Sequence, residues 1–129
     1  MKTIFMPKRL WKKWDKALRS GEYNQAEGVL YDPESCGFCC LGVLQHVADR
    51  GKVQVFENQE EEEFMKLPTQ DWLKYFGIKF KNEDRNVVVT PFLPSFKCSA
   101  DEANDCYNKT LPEIADAIAE CVQFTDAKK

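Results

Sequence analysis

The residues best suited to chemistry crowd into one stretch, Cys36-Gly-Phe-Cys-Cys-Leu-Gly-Val-Leu-Gln-His46. It holds three of the six cysteines and the sole histidine. Cys36 and Cys39 stand at the C-x-x-C spacing of a zinc ligand pair. A closed tetrahedral site needs a second pair, and Cys98, Cys106 and His46 do not supply one at knuckle spacing. Cys36 and Cys39 are thus metal candidates without partners, and neither a metal nor a cofactor is expected. Buried structural thiols are the competing reading, since free cysteine is among the most buried residue types.

A nucleophilic thiol is the second chemistry. Cys39 or Cys40 opens a helix, where free N–H groups and the helix dipole favour a thiolate. The base is the difficulty. At about 100° per residue Cys40 and His46 point to different sides of that helix. Cys39 and His46 share a face but lie about 10 Å apart at 1.5 Å per residue, and a base must come within about 3 Å. If the chain is an enzyme, Cys40 and the carboxylates Asp105 and Asp116 are its candidate catalytic groups. Asn104-Asp105 also suits a local turn-forming hydrogen bond. No Gly-rich phosphate loop, Ser–His–Asp set or HExxH motif is present.

These residues need elements to hold them. Trp11, Trp14 and Leu18 fall at i, i+3 and i+7, so the spacing predicts a helix over 8–20, ended by Gly21. Val29–Tyr31 and Gly37–Cys39 read as short strands around the Asp32-Pro33 turn. A helix follows from Cys39 or Cys40 to Arg50, apolar on most of its circumference and therefore buried. Val53–Phe56 reads as a strand, and 69–77 as a short helix. Residues 78–81 and 86–90 read as a hairpin, by alternation in the first and β-branching in the second. From Ser99 the pattern is a helical hairpin. Thr110-Leu-Pro-Glu113 is a capping box, with Pro112 in the first turn where its missing donor is harmless.

With 129 residues, 43% apolar and 30% charged, the chain fits one soluble domain spanning 1–129. The net charge of −3 argues against general polyanion binding. The distribution is uneven: residues 1–20 carry seven Lys or Arg against Asp15 alone, and residues 57–63 are mostly Glu. No signal peptide or membrane span is expected, and the six thiols are expected to be reduced, as in a cytoplasm.

Two stretches carry a resemblance. The first runs from Ala17-Leu-Arg-Ser-Gly-Glu-Tyr23 to Cys39-Cys-Leu-Gly-Val-Leu44. The second is Asn104-Asp105 followed by Glu113-Ile-Ala-Asp-Ala-Ile118. Together they resemble a family of small bacteriophage and prophage proteins with a "CCLGVLC" helix and a C-terminal "LND…F.EIAD.I" segment. Gln45 stands where that family often has cysteine, and Ala103 where it has leucine. The resemblance implies a phage context inside a host cell and names no reaction. Leu111–Ile118 also resembles the first helix of a helix-turn-helix, but no room follows it for a recognition helix, which disfavours nucleic acid.

The sequence therefore predicts an α+β fold: a buried central helix at 39–50, a helix on each terminal side and a small antiparallel sheet. The expected function is a non-catalytic phage-type accessory protein in the host cytoplasm. It would bind a host protein or a nucleotide-like signal, in the manner of counter-defence proteins; a homo-oligomer stays open. Arg19, Tyr23, Asn104 and Asp105 are the candidate ligand-binding residues, with the lysines of the first helix adding charge. Against a protein target the acidic run 60–63 could mimic a polyanion. The rival expectation is a small hydrolase using Cys40 or the carboxylates.

Overall fold

The computed structural model describes residues 1–58 and 63–126, except for the side chains of residues 56–58 and 63. The elements in chain order are β1 (Ile4–Met6), α1 (Lys8–Arg19), β2 (Asn24–Gln25), β3 (Tyr31–Asp32), β4 (Gly37–Phe38) and α2 (Cys40–Ala48). They continue with β5 (Phe56–Asn58), β6 (Glu63–Phe64), α3 (Gln70–Tyr75), β7 (Lys79–Lys81), β8 (Val87–Val88), β9 (Phe92–Leu93) and β10 (Cys98–Ser99). The last are α4 (Ala100–Asp105), α5 (Leu111–Ala119) and β11 (Val122–Phe124). The fold is α+β.

Helix α2 is the centre, as its all-round apolar sequence requires. Every residue from Cys40 to Gln45 is buried. Its N-terminus is fixed from three directions. The buried Trp14 indole of α1 donates to the Cys40 carbonyl at 2.9 Å. The Asn104 side-chain oxygen of α4 accepts the Cys40 N–H at 3.3 Å. The Leu30 carbonyl accepts the Cys39 N–H at 3.3 Å. Cys39 itself caps the helix, its sulfur accepting the Gly42 N–H at 3.4 Å. Orphan donors of the first turn are thereby used in a site closed to water.

Gly42 is what lets the Leu30 backbone come this close. A Cβ there would overlap the Leu30 carbonyl oxygen and lie 2.8 Å from its carbon and 3.3 Å from its Cα. The obstacle is backbone, which cannot rotate away as a side-chain tip can.

The largest sheet has the order β11-β1-β7-β8. The expected hairpin is present, with Phe80 opposite Val88 and Lys81 opposite Val87. To it β1 adds antiparallel, and β11 adds parallel to β1, with Ile4 opposite Val122. This mixed pairing of the two ends of the chain extends the small antiparallel sheet that the sequence predicts. Both strands are three residues long, too short to show alternation. The other expected hairpin forms between β3 and β4. The strand expected at 53–56 begins only at Phe56.

Helix α1 follows its stripe: Trp14, Ala17 and Leu18 are buried. Trp11 is half-buried and packs on Phe124 of β11 at 5.3 Å. Asp126 accepts the Lys8 N–H at 2.6 Å, so the chain's end caps α1. The Thr110–Glu113 capping box is present, with bonds of 2.9 and 3.3 Å. Among the described residues no helix is long and apolar enough to cross a membrane.

Gly42→Ala should cost about 3 kcal/mol or more, at the upper end of overpacking penalties. Chemical denaturation would show the midpoint moving down with an unchanged slope. A Gly42→Ala variant as stable as the parent would mean that Leu30 does not lie against this helix.

Candidate functional site

The thiols of the opening motif face inward. Cys40 is fully buried, and its sulfur sits 3.7 Å from the Ala100 carbonyl oxygen. Burial pushes its pKa well above the ordinary thiol value. Burial likewise raises Cys39 to about 12, against the smaller opposing pull of the Gly42 N–H. The helix N-terminus expected to favour a thiolate is thus outweighed by desolvation. Cys40, the candidate nucleophile, is held as a neutral thiol out of reach of solvent. Cys36 is exposed while Cys39 is buried, and among the described residues no group of three or more His, Cys, Asp or Glu could hold a metal.

The polar candidates separate into three places. Arg19 bonds Asp15 at 3.0 Å and Asp116 at 2.7 Å, tying α1 to α5 across an exposed surface. These two carboxylates raise its pKa, Asp116 most. Asp116, a candidate catalytic carboxylate only if the chain is an enzyme, is therefore an ion-pair partner. Asn104 is buried and its amide is fully used. Its oxygen accepts from Gln25 at 2.9 Å and from the Cys40 N–H, and its nitrogen donates to the Ala26 carbonyl and to Asp105, both at 2.8 Å. Asn104 and Asp105 are thus together, as their adjacency implies, joining α4 to the β2 strand and α2. Asn104 also borders a polar groove with Gln25, Glu27, Asn108 and Lys109.

Tyr23 lies elsewhere, and it leads to a site that motif reasoning missed. Its hydroxyl is 2.7 Å from His46 Nδ1. Burial, and then Glu22, raise the Tyr23 pKa. Which group donates depends on the imidazole tautomer; with Nδ1 engaged by Tyr23, the ring nitrogen left for other partners is Nε2. That atom faces Gly51: a Cβ on Gly51 would lie 3.7 Å from it.

Phe38 stands edge-on to both partners, 5.2 Å from Tyr23 and 5.1 Å from His46, and Tyr31 leans on Phe38 at 4.8 Å. Edge-to-face and tilted pairs at these separations are favourable arrangements for aromatic rings. Tyr31, Phe38, His46, Gly51, Val53 and Val55 line a cavity of about 220 Å³.

The far wall of this cavity is held by Gln45, where the resembling family often has cysteine. Gln45 is fully buried. Its oxygen accepts the Gln54 N–H at 2.9 Å and its nitrogen donates to the Gln54 side chain at 2.8 Å. This pair of hydrogen bonds to a residue between Val53 and Val55 fixes an otherwise irregular loop. Gly51, at φ 85°, turns the chain out of α2 to start it. The signal available in the sequence was the set of aromatics flanking the Asp32-Pro33 turn, together with His46 at the end of the buried helix. A search for dyads with cysteine passes over it.

Two outcomes follow from the thiols. Iodoacetamide at neutral pH should add to Cys36 and Cys106 in the native protein and to all six cysteines after denaturation, as read by intact mass. Rapid native labelling of Cys40 would contradict its burial. Stability should also be flat below pH 9 for these groups and fall as pH rises from there toward about 12, because the unfolded Cys39 ionises first. The slope is about 1.4 kcal/mol per pH unit for each such thiol.

The model of one family, described as a domain of unknown function (DUF8296), matches residues 6–91. No curated protein and no solved structure matches the chain. The matched stretch takes in α1, α2, Gly42 and every residue lining the aromatic cavity, while Asn104, Asp105 and Asp116 lie outside it. Covering about two-thirds of the sequence, the match shows that this chain belongs to the DUF8296 family.

Proposed function

We propose that this protein is a non-catalytic binder that takes a small planar heterocycle, such as the base of a nucleotide-like signal, in the cavity of Tyr31, Phe38 and His46. The observation that carries this reading is the His46 ring, held at Nδ1 by Tyr23 so that Nε2 is its remaining polar atom beside an otherwise aromatic and aliphatic lining. Binding sites combine apolar lining with few placed polar groups in this way. The volume limits the ligand. Pockets for drug-sized ligands measure about 300–1,000 Å³, so about 220 Å³ suits one ring system with its substituents outside. Arg50 and Lys52, exposed on either side of Gly51, supply positive charge near the rim for a phosphate.

Catalysis has less support. Cys40 is buried and neutral, Asp116 is ion-paired, Asp105 is bonded to Asn104, and His46 is shared with Tyr23. In the phage setting implied by the motif resemblance, a binder of this kind would work in the host cytoplasm by sequestering a nucleotide-like signal. The acidic run 60–63, expected to address a host protein, lies outside the residues whose side chains are described.

Titration with a panel of mononucleotides, followed by imidazole and aromatic NMR resonances, checks this reading. Saturable shifts are expected at His46, Phe38 and Tyr31. His46→Phe should keep the ring and weaken binding about tenfold, the worth of one hydrogen bond. Absence of saturable shifts with every nucleotide, or shifts confined to another surface, would remove the proposal.

A further inference from the structure

A second cavity, sharing no residue with the aromatic one, lies where α1, the end of α2 and the end of α3 meet. It measures about 310 Å³ and is lined by Pro7, Arg9, Leu10, Lys13, Val47, Ala48 and Phe76. Its floor is apolar: Leu10, Val47, Ala48 and Phe76 are each only half-buried and pack against the core beneath. Its rim is cationic. We propose that this groove is a docking site for an acidic, amphipathic segment of a partner protein.

Charge complementarity on an apolar seat singles out this occupant. Helix α1 carries Lys8, Arg9, Lys12, Lys13, Lys16 and Arg19 against one acid, Asp15. Among the described residues the only ion pairs are those of Arg19 with Asp15 and Asp116. Arg9, Lys12, Lys13 and Lys16 are exposed and have no carboxylate partner there. Concentrated on one helix of a protein with net charge −3, they make a local field opposite in sign to the whole.

Tyr75 adds an anchor beside the groove. It is 83% exposed, and its ring stands edge-on to Phe76 at 5.0 Å. Tyrosine is among the residue types enriched at interface hot spots once a partner covers it. The aliphatic floor decides between macromolecules. Nucleic acid draws most of its affinity from phosphate contacts and has no aliphatic face to cover Leu10, Val47 and Ala48. An amphipathic segment covers them with its own apolar side chains, placing Asp or Glu against Arg9 and Lys13.

The test uses the full chain and two synthetic helical peptides. One has Leu at i, i+3, i+4 and i+7 with Glu elsewhere; in the other each Glu is Gln. Backbone amide NMR should show saturable shifts with the Glu peptide at Arg9, Leu10, Lys13, Val47, Ala48 and Tyr75–Phe76. Affinity should fall at least tenfold for the Gln peptide, and several-fold between low and physiological salt. The paired charge reversals Arg9→Glu and Lys13→Glu should lower it at least tenfold while leaving thermal unfolding unchanged, since both side chains are exposed. Tyr75→Ala should weaken it independently of salt. The proposal fails if the Glu peptide gives no saturable shifts, if the charge reversal leaves its affinity unchanged, or if a duplex oligonucleotide binds the same residues more tightly.

Discussion

The structure depends on the contact between Gly42 and the backbone of Leu30. Because Gly42 has no side chain, the strand that enters β3 lies directly on the first turn of α2. The Leu30 carbonyl then accepts the Cys39 N–H, and the β3–β4 hairpin returns alongside. Trp14 and Asn104 bring α1 and α4 to the same turn. A helix apolar all round can be soluble only if something covers each side, and here the covering elements are fastened at one point. The Cys39–Gly42 motif is therefore an assembly point. Its thiols are small buried groups with one useful property, the ability of Cys39 sulfur to accept a hydrogen bond.

That anchoring explains how functional groups come to stand on irregular segments. Phe38 leaves the hairpin immediately before α2, and His46 sits where α2 emerges from the core. Tyr31 comes from the strand pressed on Gly42, and Val53 and Val55 from a loop fixed by Gln45. Each ring is placed by an element that cannot shift without disturbing the core. The cavity is thereby pre-formed, which lowers the ordering cost of binding. The α1 groove uses the same scaffold from another side, since Val47 and Ala48 follow His46 on the helix. Core and surfaces are coupled through one short helix.

The elements that position these surfaces were mostly legible in the sequence. The Trp stripe of α1, the all-round apolar α2, the Thr110 capping box and the 78–90 hairpin each carry a local signature of period or turn chemistry. The end strands β1 and β11 were not legible, because three residues cannot display a period and their pairing spans the whole chain. The aromatic cavity was half legible. Tyr23 is among the candidate ligand residues, but in the sequence His46 invites comparison with cysteines alone, as a base for Cys39 or Cys40 or as a metal ligand beside Cys98 and Cys106. Its partner is a tyrosine 23 residues earlier, and only the tertiary fold places that hydroxyl on the imidazole. Arg19 and Asp116 likewise stood out separately, and nothing local shows that they pair.

If the fold is assembled on the first turn of α2, that turn is the last part of the molecule to open. Native-state hydrogen exchange tests this most directly. The Cys39, Cys40, Gly42 and Val43 amides should exchange only through global unfolding, with protection matching the free energy from denaturation. The Lys52–Val55 loop should exchange faster. If those four amides exchanged through local opening, at rates like the loop's, α2 would not be the point on which the fold is assembled.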